Sequence, residues 1–263
     1  MDGTIIDNTK NRNEIIRLFI AKETEIDEIQ GDISDLKKVS QCISSKISNA
    51  AVVYDISGSS RALIFEILRW NNIQNFTFIY SRPKEESEGE IEFNDGVRRI
   101  SVLQGYEGRM RLHKNNTLIL VLGFEGIRSL RVFRDIEPQK CFALISEPGI
   151  FYSGEEREKY ISVAKRNNFQ LINSQRTIQD SIDISEPDKT SLTLEKIIGT
   201  LDLDEQNVIF HNIGPKSSVL GSYIWWKHHM DIQVIHSIPI KIGNPSRGIG
   251  KQYIYKLNDY VNY

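Results

Sequence analysis

Apolar runs of strand length, each ending in a glycine turn and followed by apolar positions at helical spacing, recur three times along this chain. The first is Ala51-Val-Val-Tyr-Asp-Ile-Ser-Gly58-Ser-Ser-Arg, which leads through Ala62-Leu-Ile-Phe-Glu-Ile-Leu to Phe76-Thr-Phe-Ile-Tyr-Ser-Arg-Pro83. The second, Leu118-Ile-Leu-Val-Leu-Gly123-Phe-Glu-Gly-Ile-Arg, leads to Cys141-Phe-Ala-Leu-Ile-Ser-Glu-Pro148. The third, Asn207-Val-Ile-Phe-His-Asn-Ile-Gly214-Pro-Lys-Ser-Ser, leads through Val219, Leu220, Tyr223, Ile224 and Trp226 to Ile232-Gln-Val-Ile-His-Ser-Ile-Pro239. Strand, turn, helix, strand is the βαβ unit of a parallel sheet. In all three the glycine-to-proline interval is 25 positions (58 to 83, 123 to 148, 214 to 239), and the second strand closes in Ser-x-Pro at Ser81, Ser146 and Ser237.

The pattern predicts an α/β protein with Rossmann-like parallel sheets built from repeated βαβ units. Residues 1–50 read as a helical N-terminal segment, with one apolar stripe over residues 13–20 and another at Ile33, Leu36, Val39, Ile43 and Ile47. A first lobe is expected over 51–150 and a second over 151–263. Between the first two units, Asn94-Asp-Gly96 flanked by Glu90-Ile-Glu-Phe and Val97-Arg-Arg-Ile predicts a hairpin, preceded by a charged loop from Lys84. Residues 155–165 and 192–198 read as helices, the latter closed by Gly199; Phe169-Gln-Leu-Ile reads as a short strand and 175–188 as a polar loop. On the helix after Gly123, Ile127, Leu130 and Phe133 predict the packed side, and Arg128, Arg131 and Arg134 a wet cationic stripe.

Composition changes this picture little. Of the 263 residues, 40% are apolar and 26% charged, and the formal charge of −2 gives no overall field for nucleic acid, although a local patch remains compatible with it. Cys42 and Cys141 fall in a helical and a strand pattern, which suits free buried thiols and a reducing compartment. No apolar run reaches the length of a membrane span and the first residues lack a targeting pattern, so the expectation is a cytoplasmic protein without a membrane partner.

The fold dictates where chemistry gathers. Both loops of a parallel βαβ unit leave by the carboxyl edge of the sheet, where ligands of open α/β sheets bind. The expected rim carries Asp55, Ser57, Gly58, Ser59, Ser60, Arg61 and Ser81 from the first unit, and Gly123, Glu125, Arg128, Ser146 and Glu147 from the second. The third contributes His211, Asn212, Gly214, Lys216, Ser217, Ser218, His236 and Ser237. Hydroxyls, turn amides and cations suit a phosphate-bearing ligand, while any single serine also suits a helix cap. Asp55 and His211, at equivalent strand ends, are the candidate acid–base pair. Residues 244–251, with Arg247 and Lys251, read as a basic flap over the rim.

Complete catalytic signatures are missing. The spacing from Gly243 to Gly248 fits a phosphate loop, but Ile249 stands in place of the lysine, and no dinucleotide fingerprint, nucleophile elbow, zincin helix or zinc-type cysteine pair occurs. No metal or other cofactor is expected. Ile213-Gly-Pro-Lys216, after a strand and opening a helix, resembles the Gly-Thr-Lys turn of CRISPR-associated Rossmann-fold sensor domains at Gly214 and Lys216, with Pro215 in place of threonine. That resemblance implies nucleotide sensing and an antiviral defence setting. The sequence therefore points to a binding or regulatory module for a nucleotide or other phosphorylated ligand, working as a homo-oligomer or within a hetero-complex. The alternatives are a hydrolase or transferase using Asp55 or His211, and a protein-interaction scaffold.

Overall fold

A computed structural model of the chain describes residues 4–7, 15–22, 25–32, 52–69, 76–86, 96–240 and 246–257. The chain divides into two compact units, residues 1–84 with 249–263, and residues 85–248.

The first unit holds two three-stranded sheets. Strands β1 (Thr4–Asp7), β2 (Ile15–Lys22) and β3 (Glu25–Asp32) form an antiparallel sheet in that order. The helix expected over residues 13–20 is thus a strand. Four of its five apolar positions are Ile15, Ile16, Phe19 and Ile20, residue types that favour a pleated backbone, and a short apolar run fits either period. The second stripe, residues 33–47, lies outside the described residues, as do Cys42, Asn94-Asp95 and residues 90–93. The other sheet has the order β12-β5-β4, from β4 (Val52–Asp55), β5 (Phe76–Glu86) and β12 (Ser246–Lys256). Between β4 and the parallel β5 runs α1 (Arg61–Leu68), nearly all of it buried. β5 continues through Pro83 to Glu86, so neither the Ser81-x-Pro83 step nor Lys84 ends the strand.

The second unit is built on a six-stranded sheet of order β6-β11-β10-β7-β8-β9. Its strands are β6 (Val97–Val102), β7 (Asn115–Leu122), β8 (Lys140–Glu147), β9 (Thr177–Asp183), β10 (Gln206–Asn212) and β11 (Gln233–Pro239). β7 to β11 are mutually parallel, and only edge strand β6 runs antiparallel, against β11. Residues 118–122 of β7 are fully buried, as a central strand covered on both faces requires. This is a Rossmann-like doubly wound sheet: the chain winds from β7 outward to β9, then returns to lay β10 on the other side of β7. The division expected at residue 150 runs through it.

α2 (Gly126–Ile136), α3 (Gly154–Asn167) and the single turn α4 (Phe169–Ile172) form one helix layer, and α5 (Pro187–Ile198) and α6 (Ser218–His228) the other, as the right-handed crossover rule requires when the winding reverses. Helix contacts sort the same way, α2 with α3 and α4, and α5 with α6. Two expectations give way here. Residues 169–172 are helical because the Asn168 carbonyl accepts from the amides of Leu171 and Ile172, prolonging the turn. The polar stretch around 177–183 is a strand because it forms the sheet edge, where one side meets water. None of the described helices is long and apolar enough to cross a membrane.

α5 and α6 approach each other closely at Gly221. A Cβ on Gly221 would lie 2.2 Å from the Pro187 carbonyl oxygen and 2.5 Å from Thr190 Cβ, whereas one on Gly199 meets nothing closer than 3.5 Å. Gly221→Ala is therefore expected to destabilise by about 2 kcal/mol or more through overpacking. Gly199→Ala is expected to be neutral or stabilising by a few tenths, roughly. Urea unfolding of both variants checks the contrast.

Candidate functional site at the winding reversal

The winding reverses between β7 and β10, and in open α/β sheets ligands bind in the crevice at the carboxyl ends of such a strand pair. β7 and β10 stay in register up to Val121↔Asn212, after which one chain leaves for α2 and the other for α6. Their turns touch. The Ile213 amide donates to the Val121 carbonyl at 2.9 Å, and a Cβ on Gly123 would lie 3.1 Å from the Ile213 carbonyl oxygen. One on Gly214 would lie 2.7 Å from Val121 Cγ1 and 3.0 Å from Ser146 Oγ. Ser146, near the end of β8, donates its hydroxyl to the Leu122 carbonyl. Two of the three repeated units thus share one rim, with Gly123, Gly214 and Ser146 at its centre.

Arg128 forms the wall of that rim. It belongs to the first turn of α2 and is 8% exposed, so the wet stripe expected of Arg128, Arg131 and Arg134 holds only for the last two, while Ile127 faces outward. The cause is its partners. Arg128 Nε donates to Ser237 Oγ at 2.6 Å, Nη2 donates to the Ser237 carbonyl, and Nη1 pairs with Glu125 Oε2 at 2.9 Å. Ser237 Oγ also lies 2.8 Å from Nε2 of the buried His211. Glu125, Arg128, Ser237 and His211 therefore form one buried chain joining the turn after β7 to the end of β11. Beside it, burial pushes the His236 imidazole down to about 4, with repulsion from Arg128 and Arg99 adding to the effect.

No protein-family model and no curated protein matches this chain.

At the start of α6, Ser218 donates its hydroxyl to the Pro215 carbonyl at 2.6 Å and accepts from Asn212 Nδ2 at 2.9 Å. Ser217, 2% exposed, has a buried hydroxyl with no hydrogen-bond partner among the described residues. Lys216 is half-exposed just before it. On the other side of the cleft, Asn167 Nδ2 donates to the Phe124 carbonyl at 3.0 Å and Asn168 Nδ2 to the Gly123 carbonyl at 2.8 Å. These asparagines hold the Gly123 turn from the end of α3. The sequence carries no signal for them beyond polar residues closing a helix.

The remaining candidates, Arg247 apart, belong to the first unit, whose strands form sheets of their own. Their hydroxyls are engaged locally. Asp55 Oδ1 accepts from the Ser57 amide at 2.8 Å, Ser57 Oγ from the Ser81 amide at 2.7 Å, and Ser59 Oγ from the Tyr54 hydroxyl at 2.7 Å. Ser60 caps α1 by accepting from the Leu63 amide at 3.2 Å, with exposed Gly58 and half-exposed Arg61 on either side of the Ser59-Ser60 pair. Asp55 and His211 lie in different units. The flap expected over 244–251 is strand from residue 246 onward, so Arg247 and Lys251 are positions on β12, and Lys251 Nζ lies 5.3 Å from the centre of the Tyr253 ring.

Two predictions follow from the polar chain. Because His236 is held neutral in the fold but protonates near its ordinary value when unfolded, its contribution to stability is complete above about pH 6.5 and is lost as pH falls towards 4. The loss amounts to at most about 3 kcal/mol, and His236→Gln should flatten the stability profile across that interval in chemical unfolding. Arg128→Met leaves Glu125 buried without its cation and should cost about 3 kcal/mol. Adding Glu125→Gln should recover part of that loss, read by the same measurement.

Proposed function

We propose that the second unit is a binding module for a phosphorylated ligand, with a nucleotide as the favoured class, held at the carboxyl edge between the turn at 123–125 and the turn at 214–217. The observation that carries this reading is the meeting of the two glycine turns at the winding reversal, with a helix start and Lys216 on the side of β10. Turn and helix-start amides with a nearby lysine are the groups that take a phosphate. The resemblance of Gly214 and Lys216 to a nucleotide-sensing turn points the same way, and extends the proposal to a regulatory subunit of a defence assembly.

A thermal-shift screen against mono-, di- and cyclic oligonucleotides, with products followed by chromatography, tests the reading. Binding raises the midpoint by mass action. Lys216→Ala should weaken binding by about tenfold or more, the scale of one hydrogen bond to a charged group. Ligand-induced stabilisation that survives the substitution removes Lys216 from the site. Product formation lost in Asp55→Asn or His211→Gln would replace this reading with the hydrolase one.

A further inference from the structure

The neighbouring strand ends carry a second set of groups, and from them we propose that the ligand is a ribonucleotide whose ribose is held by Glu147 and whose base lies against Tyr152. The proposal rests on the reading of the winding reversal as the phosphate position.

Glu147 is the last residue of β8, the strand beside β7, and follows Ser146, whose hydroxyl reaches the end of β7. It therefore stands one strand away from the Gly123 turn, a lateral step of about 4.8 Å. It comes 24 positions after that glycine (123 to 147), near the interval of about 20 residues at which dinucleotide-binding Rossmann units place the acid for the ribose hydroxyls. The side chain is 32% exposed, and Arg157 Nη2 holds Oε2 at 2.8 Å. That bond holds one carboxylate oxygen and, among the described residues, leaves the other without a partner. A carboxylate held in this way accepts from a sugar hydroxyl but repels phosphate. The two ends of a nucleotide are thereby sorted, phosphate at the reversal and sugar over β8.

The base has a platform on the same side. Phe124, in the turn after β7, lies 4.6 Å from Tyr160 by ring centres, and Tyr160 lies 5.5 Å from Tyr152. The row runs from the phosphate turn to the segment after β8. Arg157 and Tyr160 are one turn apart on α3, so the ribose acid's anchor and the aromatic row share a helix face. Phe124 and Tyr160 are buried and act as core, whereas Tyr152 is half-exposed at the end of the row on extended backbone. Stacking of a base on such a ring needs no particular base identity.

Calorimetric titration of the full chain with ATP, 2′-deoxy-ATP and inorganic tripolyphosphate separates the parts. ATP should bind about tenfold more tightly than 2′-deoxy-ATP, the value of one hydrogen bond to a charged group. Glu147→Gln should abolish that difference, Tyr152→Leu should weaken both nucleotides, and neither variant should alter tripolyphosphate binding. Equal affinity for the two nucleotides in the unmodified chain, or a ribose preference that persists in Glu147→Gln, overturns the ribose subsite and leaves the phosphate reading standing. Nucleotide affinity unchanged by Tyr152→Leu overturns the base platform. Failure of all three compounds to bind overturns both this inference and the reading beneath it.

Discussion

The backbone contact between Gly123 and Gly214 is the constraint on which the second unit depends. Two adjacent parallel strands remain paired to Val121↔Asn212 and then send their chains to opposite faces of the sheet. At that parting the backbones still touch, and a Cβ on either glycine would meet an atom of the other strand or turn within about 3.1 Å. Small residues are needed because the turns begin before the strands have separated. The same proximity lets the Ser146 hydroxyl reach the Leu122 carbonyl beside Gly214, and gives α2 and α6 a common origin at the rim. A cleft at the reversal is thus a product of topology, but its narrow floor is a product of these two residues.

Arg128 is the costly element of that rim. A cation in the first turn of a helix opposes the positive end of the helix dipole, and burial adds desolvation. Glu125 at the helix cap supplies the counter-charge and accepts from Nη1, and the Ser237 hydroxyl and carbonyl accept from Nε and Nη2. The result ties β11 to the turn after β7, two places that the sheet alone leaves separated by β10. It also fixes the Ser237 hydroxyl against His211, so the group that resembled an acid–base candidate in sequence is a member of a satisfied buried network.

The βαβ repeat was legible because burial on both faces imposes continuous apolar runs, seen in β7, β8 and β10, and because glycine turns at strand ends have few substitutes. The Gly123, Gly214 and Ser146 rim followed from that pattern directly. What could not be read were the elements at the margins. Residues 15–20 suit a helix or a strand by spacing, and only pairing with β1 and β3 decides between them. β9 carries Gln179, Asp180 and Ser181 because it is an edge, and a polar edge strand looks like a loop until its neighbour is known. Arg128 shared an i, i+3 stripe with Arg131 and Arg134. Its burial is decided by Ser237, 109 positions away, and no local period encodes that distance.

Hydroxyl-rich turns drew attention to both units, yet a serine near a strand end identifies a ligand site only when the fold leaves its hydroxyl without a task. In the first unit, Ser57 closes onto β5, Ser59 onto Tyr54 and Ser60 onto α1, so the Asp55-to-Ser60 turn is accounted for by its own construction. In the second, Ser146 and Ser218 are likewise engaged, whereas the Ser217 hydroxyl and one oxygen of Glu147 keep no partner among the described residues. Buried polar groups are normally paired, and an exception asks for an explanation. The buried Ser217 hydroxyl is such an exception on the β10 side of the winding reversal, while the second Glu147 oxygen, on the β8 side, belongs to a partly exposed carboxylate. The rim of the second unit is therefore distinguished less by how many polar groups it holds than by which of them folding has not already satisfied.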